Sequence, residues 1–337
     1  MRQSDNPICD NPTSDNPTSE NRKSEISHLK SQKWKGVTGG NTFGQKALLF
    51  LFHFANVTVG YVFLAFVVPF YMLFGRKGYL SIYRYFRKHF SYSPLKAFCK
   101  TYMNHFIFGQ CMLDRFAVYA GKKNFFHVEI TGNEEFYRLL DEKKGFVIVS
   151  SHVGNFELSG YLLKQDKKRI NALVFGGETE EVMKNRTKVL SDNNISVIPV
   201  SSDMSHIFKI NEALSAGEIV SMPCDRLHGS AKSMECDFLC GKADFPVGAF
   251  ALAASFDVPV LAIFVIKISV KKYKVFVKLM SDMRQSDMRH EVVENRKSEI
   301  GNRQSEISHL AKAYVKELEN VVREYPLQWF NFYEFWK

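Results

Sequence analysis

Between Leu48 and Phe74 the chain carries no Lys, Arg, Asp or Glu. This apolar run exceeds the ~20 residues that a helix needs to cross the hydrocarbon core of a bilayer. It starts too late for a signal peptide and lacks a small-residue cleavage site. The alternative is a core helix, but buried apolar stretches of this length are uncommon in globular domains. The sequence therefore predicts a transmembrane or monotopic membrane helix over residues 45–76.

A basic and aromatic segment, from Arg76 to His89, follows the apolar run. Such a segment is typical of the headgroup layer on the cytoplasmic side of a membrane. The net charge of +10 also suggests an anionic partner: acidic lipids, an acidic carrier protein or nucleic acid. A basic surface that only aids solubility fits the charge equally well. The sequence contains no recognisable nucleic-acid-binding module, so we expect no nucleic-acid partner. Six cysteines at uneven spacing, with no secretory leader, indicate reduced thiols in a domain that faces the cytoplasm.

Two segments of the chain are polar and repetitive. Residues 1–44 contain DNPTSDNPTSENRKSEISHL and are predicted to form a disordered low-complexity extension. Parts of this extension recur downstream, with MRQSD at 1–5 and 283–287 and ENRKSEI at 20–26 and 294–300. These copies lack the apolar face and fixed period of solenoid repeats. We therefore expect a low-complexity insertion at about residues 281–308.

Apolar, β-rich runs alternate with helical patterns in the remaining chain. The predicted strands are Phe146–Ser150, Asn171–Phe175, Ser196–Val200, Ile219–Pro223, Val260–Ile266 and Lys274–Lys278. The predicted helices are Glu134–Glu142, Phe156–Gln165, Thr179–Asn193, Ser205–Ala216, Val247–Phe256 and Leu310–Tyr325. This alternation predicts an α/β domain over residues 77–337, with a mixed, mostly parallel sheet flanked by helices. Sheets of this kind place their chemistry at the carboxyl ends of their strands.

The segment FVIVSSHVGNFE contains the strongest candidate for chemistry. FVIVSS reads as a buried strand, so His152 follows a strand end. Gly154 permits a turn, and Asn155 is a good N-cap for a helix that begins near Phe156. With His152 outside the helix and Glu157 in its first turn, the carboxylate can reach one imidazole nitrogen and leave the other free as a general base. A surface or capping arrangement is the alternative interpretation of this pair alone.

HVGNFE resembles the H-x-G-N-x-E form of the H-x4-D/E signature of the lysophospholipid acyltransferase superfamily, in its branch of late acyltransferases of lipid A biosynthesis. Three further segments are similar to blocks of that branch, in the same order: GEIVSMPCDRLHG (217–229), FLCGKADFPVGAFALAASFDVPVLAIFV (238–265) and YPLQWFNFYEFWK (325–337). Arg226 stands after Asp225 where the lipid A enzymes typically have Gln. The tail reads FNFYEF where they have His-Arg-Arg, which leaves the acceptor open.

The resemblance implies a glycerolipid acyltransferase-like fold and a membrane-associated O-acyltransferase. Such an enzyme moves a fatty acyl chain from an acyl carrier protein or coenzyme A thioester to a hydroxyl of a lipid A precursor. It implies His152 as general base, Glu157 as the group that orients it, and no cofactor or metal. It also implies a bacterial inner membrane location with the catalytic domain facing the cytoplasm. Residues implied in substrate binding are Gly154, Asn155, Arg186, Asp225, Arg226, Gly229 and Gly248.

Several of these residues have a structural alternative. Asn155 fits a helix cap, Arg186 fits a solvated helix face, and Asp225 with Arg226 fits a structural pair in a loop. Cys224, His228, Cys236 and Cys240 form C-x3-H-x7-C-x3-C, but this spacing fits none of the common zinc frameworks.

Other functions stay open at this point. The same chemistry could act on an amino-acid lipid, a polyene-type pigment or a lysophospholipid, or the chain could be a non-catalytic, membrane-anchored lipid-binding protein. The sequence contains no G-x-S-x-G, P-loop or G-x-G-x-x-G, which excludes the usual serine hydrolase, nucleotide-hydrolysing and dinucleotide-binding motifs.

Overall fold

A computed structural model describes residues 57–162, 166–175, 187, 190–191, 194–200, 205–227, 232–281 and 296–337. The predicted extension over 1–44 and the first part of the predicted membrane helix lie outside these residues, as does most of the predicted helix Thr179–Asn193. The predicted insertion is described only at residue 281 and from residue 296 onward.

In the part of the chain that the structure describes, three α-helices precede the sheet. They are α1 (Val57–Phe74), α2 (Arg76–Lys88) and α3 (Pro94–Tyr119). Helix α1 is long and apolar enough to cross a membrane, by length and composition alone, and it continues through Pro69. One face of α1 packs on α3, where Gly109 leaves room for Leu64. Large apolar side chains such as Phe63, Phe66 and Phe70 are exposed.

The sequence patterns did not predict α3, which connects α1 to the sheet. Its start follows ordinary capping rules: the Ser93 side chain accepts a hydrogen bond from the Lys96 backbone, and Pro94 occupies the first helical turn. Unusually for a helix, its buried face includes polar residues, among them Asn104, Asp114 and Arg115. A helix that is polar on the buried side lacks the apolar stripe by which amphipathic helices are detected.

The described strands form a seven-stranded sheet in the order β1-β9-β8-β2-β5-β3-β4 and a separate two-stranded hairpin, β6–β7. The strands are β1 (His127–Thr131), β2 (Phe146–Ser150), β3 (Ile170–Phe175), β4 (Ile195–Val200), β5 (Ile219–Pro223), β6 (Ser233–Phe238), β7 (Gly241–Pro246), β8 (Val260–Lys267) and β9 (Lys272–Ser281). Within the large sheet only β8 and β9 pair antiparallel. The predicted fold class, a mixed and mostly parallel sheet flanked by helices, is therefore confirmed.

All six predicted strands are present, and β2 and β5 have the predicted ends. The sequence patterns missed β1 and the β6–β7 hairpin. Strand β1 is short and has no fully buried residue, because it lies at the edge of the sheet. Strands β6 and β7 carry Glu235, Asp237 and Lys242 on their exposed face, so neither forms a continuous apolar run.

Helices cover both faces of the sheet. The remaining α-helices among the described residues are α4 (Asn133–Leu140), α5 (Ser159–Leu162), α6 (Ser205–Ser215), α7 (Gly248–Phe256) and α8 (Arg296–Glu324). One hydrophobic core joins α2, α7, α8 and the C-terminal segment to the sheet, and the other joins α3 and α4 to it. Helix α8 begins at Arg296 rather than at the predicted Leu310, so residues 296–308 belong to this helix. Ile307 is buried in the core, which ties that part of the chain to the domain.

Candidate active site

The site lies where two neighbouring parallel strands end. Ser150, the last residue of β2, is in register with Pro223, the last residue of β5. The backbone N–H of Cys224 donates to the carbonyl of Ser150 at 2.9 Å and extends the pairing past the strand ends. Because parallel neighbours end at the same edge of a sheet, the residues that follow them, His152 and Asp225, lie side by side.

His152 and Asp225 form a two-point contact. The Nδ1 atom of His152 lies 2.7 Å from Oδ1 of Asp225, and the backbone N–H of His152 donates to Oδ2 at 2.8 Å. The Asp225 side chain is 2% exposed and the His152 side chain 19%. An ionised carboxylate only accepts hydrogen bonds, so Nδ1 carries the proton and Nε2 has its lone pair available. Among the described residues Nε2 has no hydrogen-bond partner.

Glu157 does not orient His152, and that part of the sequence prediction is wrong. The Glu157 carboxylate instead forms an ion pair with Arg115 of α3, at 2.5 Å between Oε1 and a guanidinium nitrogen. Tyr119, one turn further along α3, donates to Glu157 Oε2 at 3.4 Å. Both partners of the ion pair are largely buried, so Glu157 fixes the segment after His152 to α3.

The turn between His152 and Glu157 is shaped by Gly154 and Asn155. Gly154 has a φ of +62°, and a Cβ atom there would lie 2.0 Å from the carbonyl oxygen of Val265. The side chain of Asn155 does not cap the following helix, contrary to the prediction. Its amide donates to the Cys111 carbonyl at 3.0 Å and to the Tyr273 hydroxyl at 3.3 Å. The helix begins as a 3-10 turn over Phe156–Leu158 and continues as α5.

The C-terminal segment crosses the turn from the other side. The backbone N–H of Gly154 donates to the Gln328 carbonyl at 2.7 Å, and the N–H of Phe330 donates to the His152 carbonyl at 3.0 Å. Asn104 of α3 donates to the carbonyl of Trp329 at 3.1 Å. The His152 turn is therefore held between α3 and the last residues of the chain.

The electrostatics of the site keep the imidazole neutral and the carboxylate ionised. Burial lowers the pKa of His152 below its ordinary value of 6.5, and the positive charge of Arg226 lowers it further. The negative charges of Asp225 and Glu157 act in the opposite direction and only partly compensate. Burial alone would raise the pKa of Asp225, but the hydrogen bonds from the His152 ring and backbone, together with the positive charge of Arg226, hold that pKa below its ordinary value of 3.8. A neutral imidazole beside an ionised carboxylate is the arrangement of a general base.

A cavity of about 70 Å³ lies beside the turn. The ring of Phe156 packs against the His152 ring, with centroids 5.1 Å apart, and also lines the cavity. Glu157 and Gly160 also line the cavity, and most of the remaining wall is apolar: Ile148, Ile170, Leu173, Leu190, Ile195 and Ile263. The cavity therefore offers an apolar space one ring away from the imidazole.

The remaining predicted site residues are Arg226, Gly248, Arg186 and Gly229. Arg226 lies beside Asp225, but a guanidinium nitrogen donates to the Phe330 carbonyl at 2.6 Å, so this side chain binds the C-terminal segment. Gly248 is the exposed first residue of α7. Arg186 and Gly229 lie outside the described residues, as does His228 of the possible zinc motif. The described part of the chain holds no cluster of His, Cys, Asp and Glu that could bind a metal ion.

The chain is similar to a known protein family and to a solved structure. Residues 99–337, well over half of the chain, match a family model described as bacterial lipid A biosynthesis acyltransferase. Among solved structures, the chain is similar to the crystal structure of the 1-acyl-sn-glycerophosphate (LPA) acyltransferase PlsC from Thermotoga maritima, at 16% sequence identity and a TM-score of 0.33. This similarity covers 78% of this chain and 98% of that one. No curated protein matches the chain.

We expect Gly154→Ala to disrupt the His152 turn. The added methyl would overlap the Val265 carbonyl, and the residue would keep a positive φ that alanine disfavours. The matched control is Gly301→Ala in α8, where a Cβ meets nothing within 4 Å and the helical position favours alanine. Thermal unfolding should show a lower midpoint for Gly154→Ala and an unchanged or higher one for Gly301→Ala. Equal midpoints would show that the turn does not need glycine.

Proposed function

The chain belongs to the family of bacterial lipid A biosynthesis acyltransferases and is an O-acyltransferase, and we propose that it moves a fatty acyl chain from a thioester to a lipid hydroxyl with His152 as general base. The observation that carries this proposal is the His152 ring itself. Its Nδ1 is held by Asp225, while Nε2 has no partner among the described residues. The pair thus combines a fixed tautomer with an available lone pair.

In the proposed reaction, Nε2 of His152 removes the proton of the acceptor hydroxyl as the oxygen attacks the thioester carbonyl carbon. The carbon–sulfur bond then breaks, and the proton passes from Nε2 to the leaving thiolate. Asp225 keeps the ring in place and stabilises the transient imidazolium. General-base assistance of this kind typically contributes about 10²–10⁴ in rate.

We further propose that the cavity beside Phe156 holds part of the acyl chain. Its wall is largely apolar, as a hydrocarbon chain requires, and Phe156 separates it from the imidazole by a single ring. The carboxylate of Glu157 lines the cavity, but its charge is compensated by Arg115. A chain end in this cavity would leave the thioester carbonyl close to His152.

The family and the charge support a proposal for the acceptor and the donor. We propose a hydroxyl of a lipid A precursor as acceptor and an acyl carrier protein thioester as donor, because the carrier is acidic and the chain has a net charge of +10. The sequence departs from the family pattern in the tail, where Phe330 and Phe332 make edge-to-face contacts with Phe108 instead of presenting basic side chains. A different lipid acceptor with the same chemistry is therefore the second candidate.

Membrane association fits the family and the exposed apolar face of α1. Helix α2 follows directly and carries exposed basic side chains, including Arg76 and Lys88. We propose that α1 inserts in the bacterial inner membrane and that α2 lies at its anionic headgroups, with the catalytic domain in the cytoplasm. The donor thioester and the carrier protein are then on the same side as His152.

An acyl-transfer assay tests the proposal directly. We expect the purified protein in detergent to transfer a radiolabelled acyl chain from the carrier thioester to a lipid A precursor, and His152→Ala to lower the rate by about 10²–10⁴. His127→Ala, which removes an exposed histidine from β1, should retain full activity. Mass spectrometry of lipids from cells with and without the gene identifies the acceptor. Transfer that survives in His152→Ala would refute the general-base role.

The same assay distinguishes the roles of the Asp225 and Glu157 carboxylates. Asp225→Asn should lower kcat about as much as His152→Ala, because an amide can donate to Nδ1 and so place the ring proton on Nε2. Glu157→Gln should cost less, since it removes one charge of an ion pair but leaves His152 and Asp225 in contact. A larger loss in Glu157→Gln than in Asp225→Asn would overturn the assignment of Asp225.

The pH dependence of kcat/KM should report the lowered pKa of His152. The base acts when neutral, so activity is lost as the pH falls through that pKa, and we expect the acid limb below pH 6.5. Arg226→Gln removes a positive charge that disfavours the imidazolium, so the limb should move to higher pH, while the glutamine amide can still donate to Phe330. Arg84→Gln breaks an exposed ion pair with Glu334 and should leave the limb in place. An acid limb that stays in place or moves to lower pH in Arg226→Gln would contradict this account.

Gly160 offers a test of the cavity. A side chain at this position would begin 2.5 Å from Cδ1 of Ile195, which can turn aside, and would then fill part of the cavity. We expect Gly160→Leu to shift the preference toward shorter acyl donors in a competition among chain lengths, with products identified by mass spectrometry. Gly301→Leu, at an open helical position, serves as the control. An unchanged chain-length preference in an active Gly160→Leu protein would exclude the cavity as the acyl site.

A further inference from the structure

A buried cluster of charged and hydroxyl groups lies away from the reacting atoms. Asp114 of α3 and Lys267 of β8 form an ion pair at 2.5 Å, with side chains 0% and 4% exposed. Taking both charges out of water is costly, and apolar residues of similar volume often replace such pairs without loss of stability. The carboxylate is well satisfied here, because the hydroxyls of Tyr61 and Tyr273 both donate to it.

One side of this cluster belongs to the apolar helix. Tyr61 lies on the buried face of α1, and Lys267 donates to its hydroxyl at 2.9 Å. The Lys267 ammonium also lies 5.0 Å from the centre of the Tyr61 ring, a favourable cation–π distance. Tyr61 thereby links the position of α1 to the ion pair.

The other side of the cluster reaches the His152 turn by two routes. The Tyr273 hydroxyl accepts a hydrogen bond at 3.3 Å from Asn155, which stands three residues after His152. The backbone of Lys267 exchanges two hydrogen bonds with the Gln328 side chain, at 2.9 and 2.8 Å. The backbone carbonyl of Gln328 in turn accepts a hydrogen bond from the backbone N–H of Gly154 at 2.7 Å.

Helix α3 adds a third connection. Arg115, the neighbour of Asp114 in the chain, holds Glu157 at the far end of the turn. Cys111, one turn earlier, accepts from the Asn155 amide at 3.0 Å. A shift of α3 or α1 that disturbed the ion pair would therefore displace the part of the turn that follows His152.

We propose that Tyr61, Asp114, Lys267 and Tyr273 form a positioning cluster that ties the placement of His152 to the docking of α1. This inference rests on the proposed function and deepens it, since it assigns α1 a role in the reaction beyond membrane attachment. None of the four residues touches the reacting atoms. They act through Asn155, Gly154 and the turn.

The expected consequence is specific to the chemical step. A general base displaced by a fraction of an ångström slows proton removal, and misplacements of about 1 Å can cost roughly 10²-fold in rate. Binding of the acyl donor does not depend on the exact place of Nε2. Loss of the cluster should therefore lower kcat and leave KM for the donor unchanged.

Tyr61→Phe is the test, because it keeps the ring and removes only the hydroxyl. Tyr102→Phe is the matched control: the Tyr102 hydroxyl of α3 donates to the Ala65 carbonyl of α1 at 3.1 Å, so it also joins these two helices but does not reach the turn. We expect kcat to fall by about 10-fold or more in Tyr61→Phe and to stay unchanged in Tyr102→Phe, with KM for the donor unchanged in both. Equal kcat values for the two variants would overturn the inference.

A double variant shows whether the two tyrosines act as one unit. Tyr273→Phe alone should also lower kcat, and it provides the same test from the sheet side if Tyr61→Phe unfolds. The double variant Tyr61→Phe/Tyr273→Phe should lose less than the product of the two single losses, because each already disables the same connection. Losses that multiply would mean that the two hydroxyls act separately and would overturn the proposed unit.

The outcomes also separate this inference from the proposed function. If the wild-type protein transfers no acyl chain, or if His152→Ala transfers it equally fast, the proposed function is wrong and the inference fails with it. If transfer depends on His152 and Tyr61→Phe keeps the full kcat, only the positioning cluster is wrong.

Discussion

The parallel pairing of β2 with β5 is the constraint on which the site depends. Ser150, the last residue of β2, pairs with Pro223, the last residue of β5, so both strands end at the same level. The residues that follow the two strands are therefore close together. His152 and Asp225 are 73 residues apart in sequence, yet their contact needs no long or flexible connection. Buried, β-branched strands in the middle of a sheet are among the least mobile parts of a domain, so the imidazole and its carboxylate are fixed by the most stable part of the fold.

Helix α3 provides the second support, and its unusual buried face explains why. Asn104 holds the C-terminal segment, Cys111 and Arg115 hold the middle and the far end of the His152 turn, and Asp114 holds Lys267. A buried amide, carboxylate or guanidinium destabilises a core unless hydrogen bonds or an ion pair compensate for its burial. Their concentration on one helix indicates that α3 contributes to placing the site as well as to filling the core.

The sequence was informative where the signal is local. FVIVS and IVSMP are continuous apolar runs bounded by polar residues, so β2 and β5 could be located to the residue, and His152 was recognised because it follows one of them. The sequence does not identify Asp225 as the partner of His152. The five-residue spacing from His152 to Glu157 relates only residues that are close along the chain. Arg115 and Glu157 are 42 residues apart and Asp114 and Lys267 153 residues apart, and no periodicity relates them. Helix α3 is not predicted for a related reason: its buried face is partly polar, so it lacks the apolar stripe by which a helix packed on a sheet is recognised.

His152 and Glu157 are five residues apart and do not touch, because the turn between them directs their side chains to different neighbours. Gly154 takes a positive φ and lets the chain reverse over Val265, which turns the residues after it toward α3. Asn155 and Glu157 then point away from the sheet edge and bind α3, while His152 stays at the edge beside Asp225. The glutamate is thus the anchor of the turn, and its negative charge still opposes the lowering of the His152 pKa from a distance. Glu157 thus influences the imidazole through the shape of the turn and through its charge, whereas the hydrogen bond that fixes the tautomer comes from Asp225, which follows a different strand.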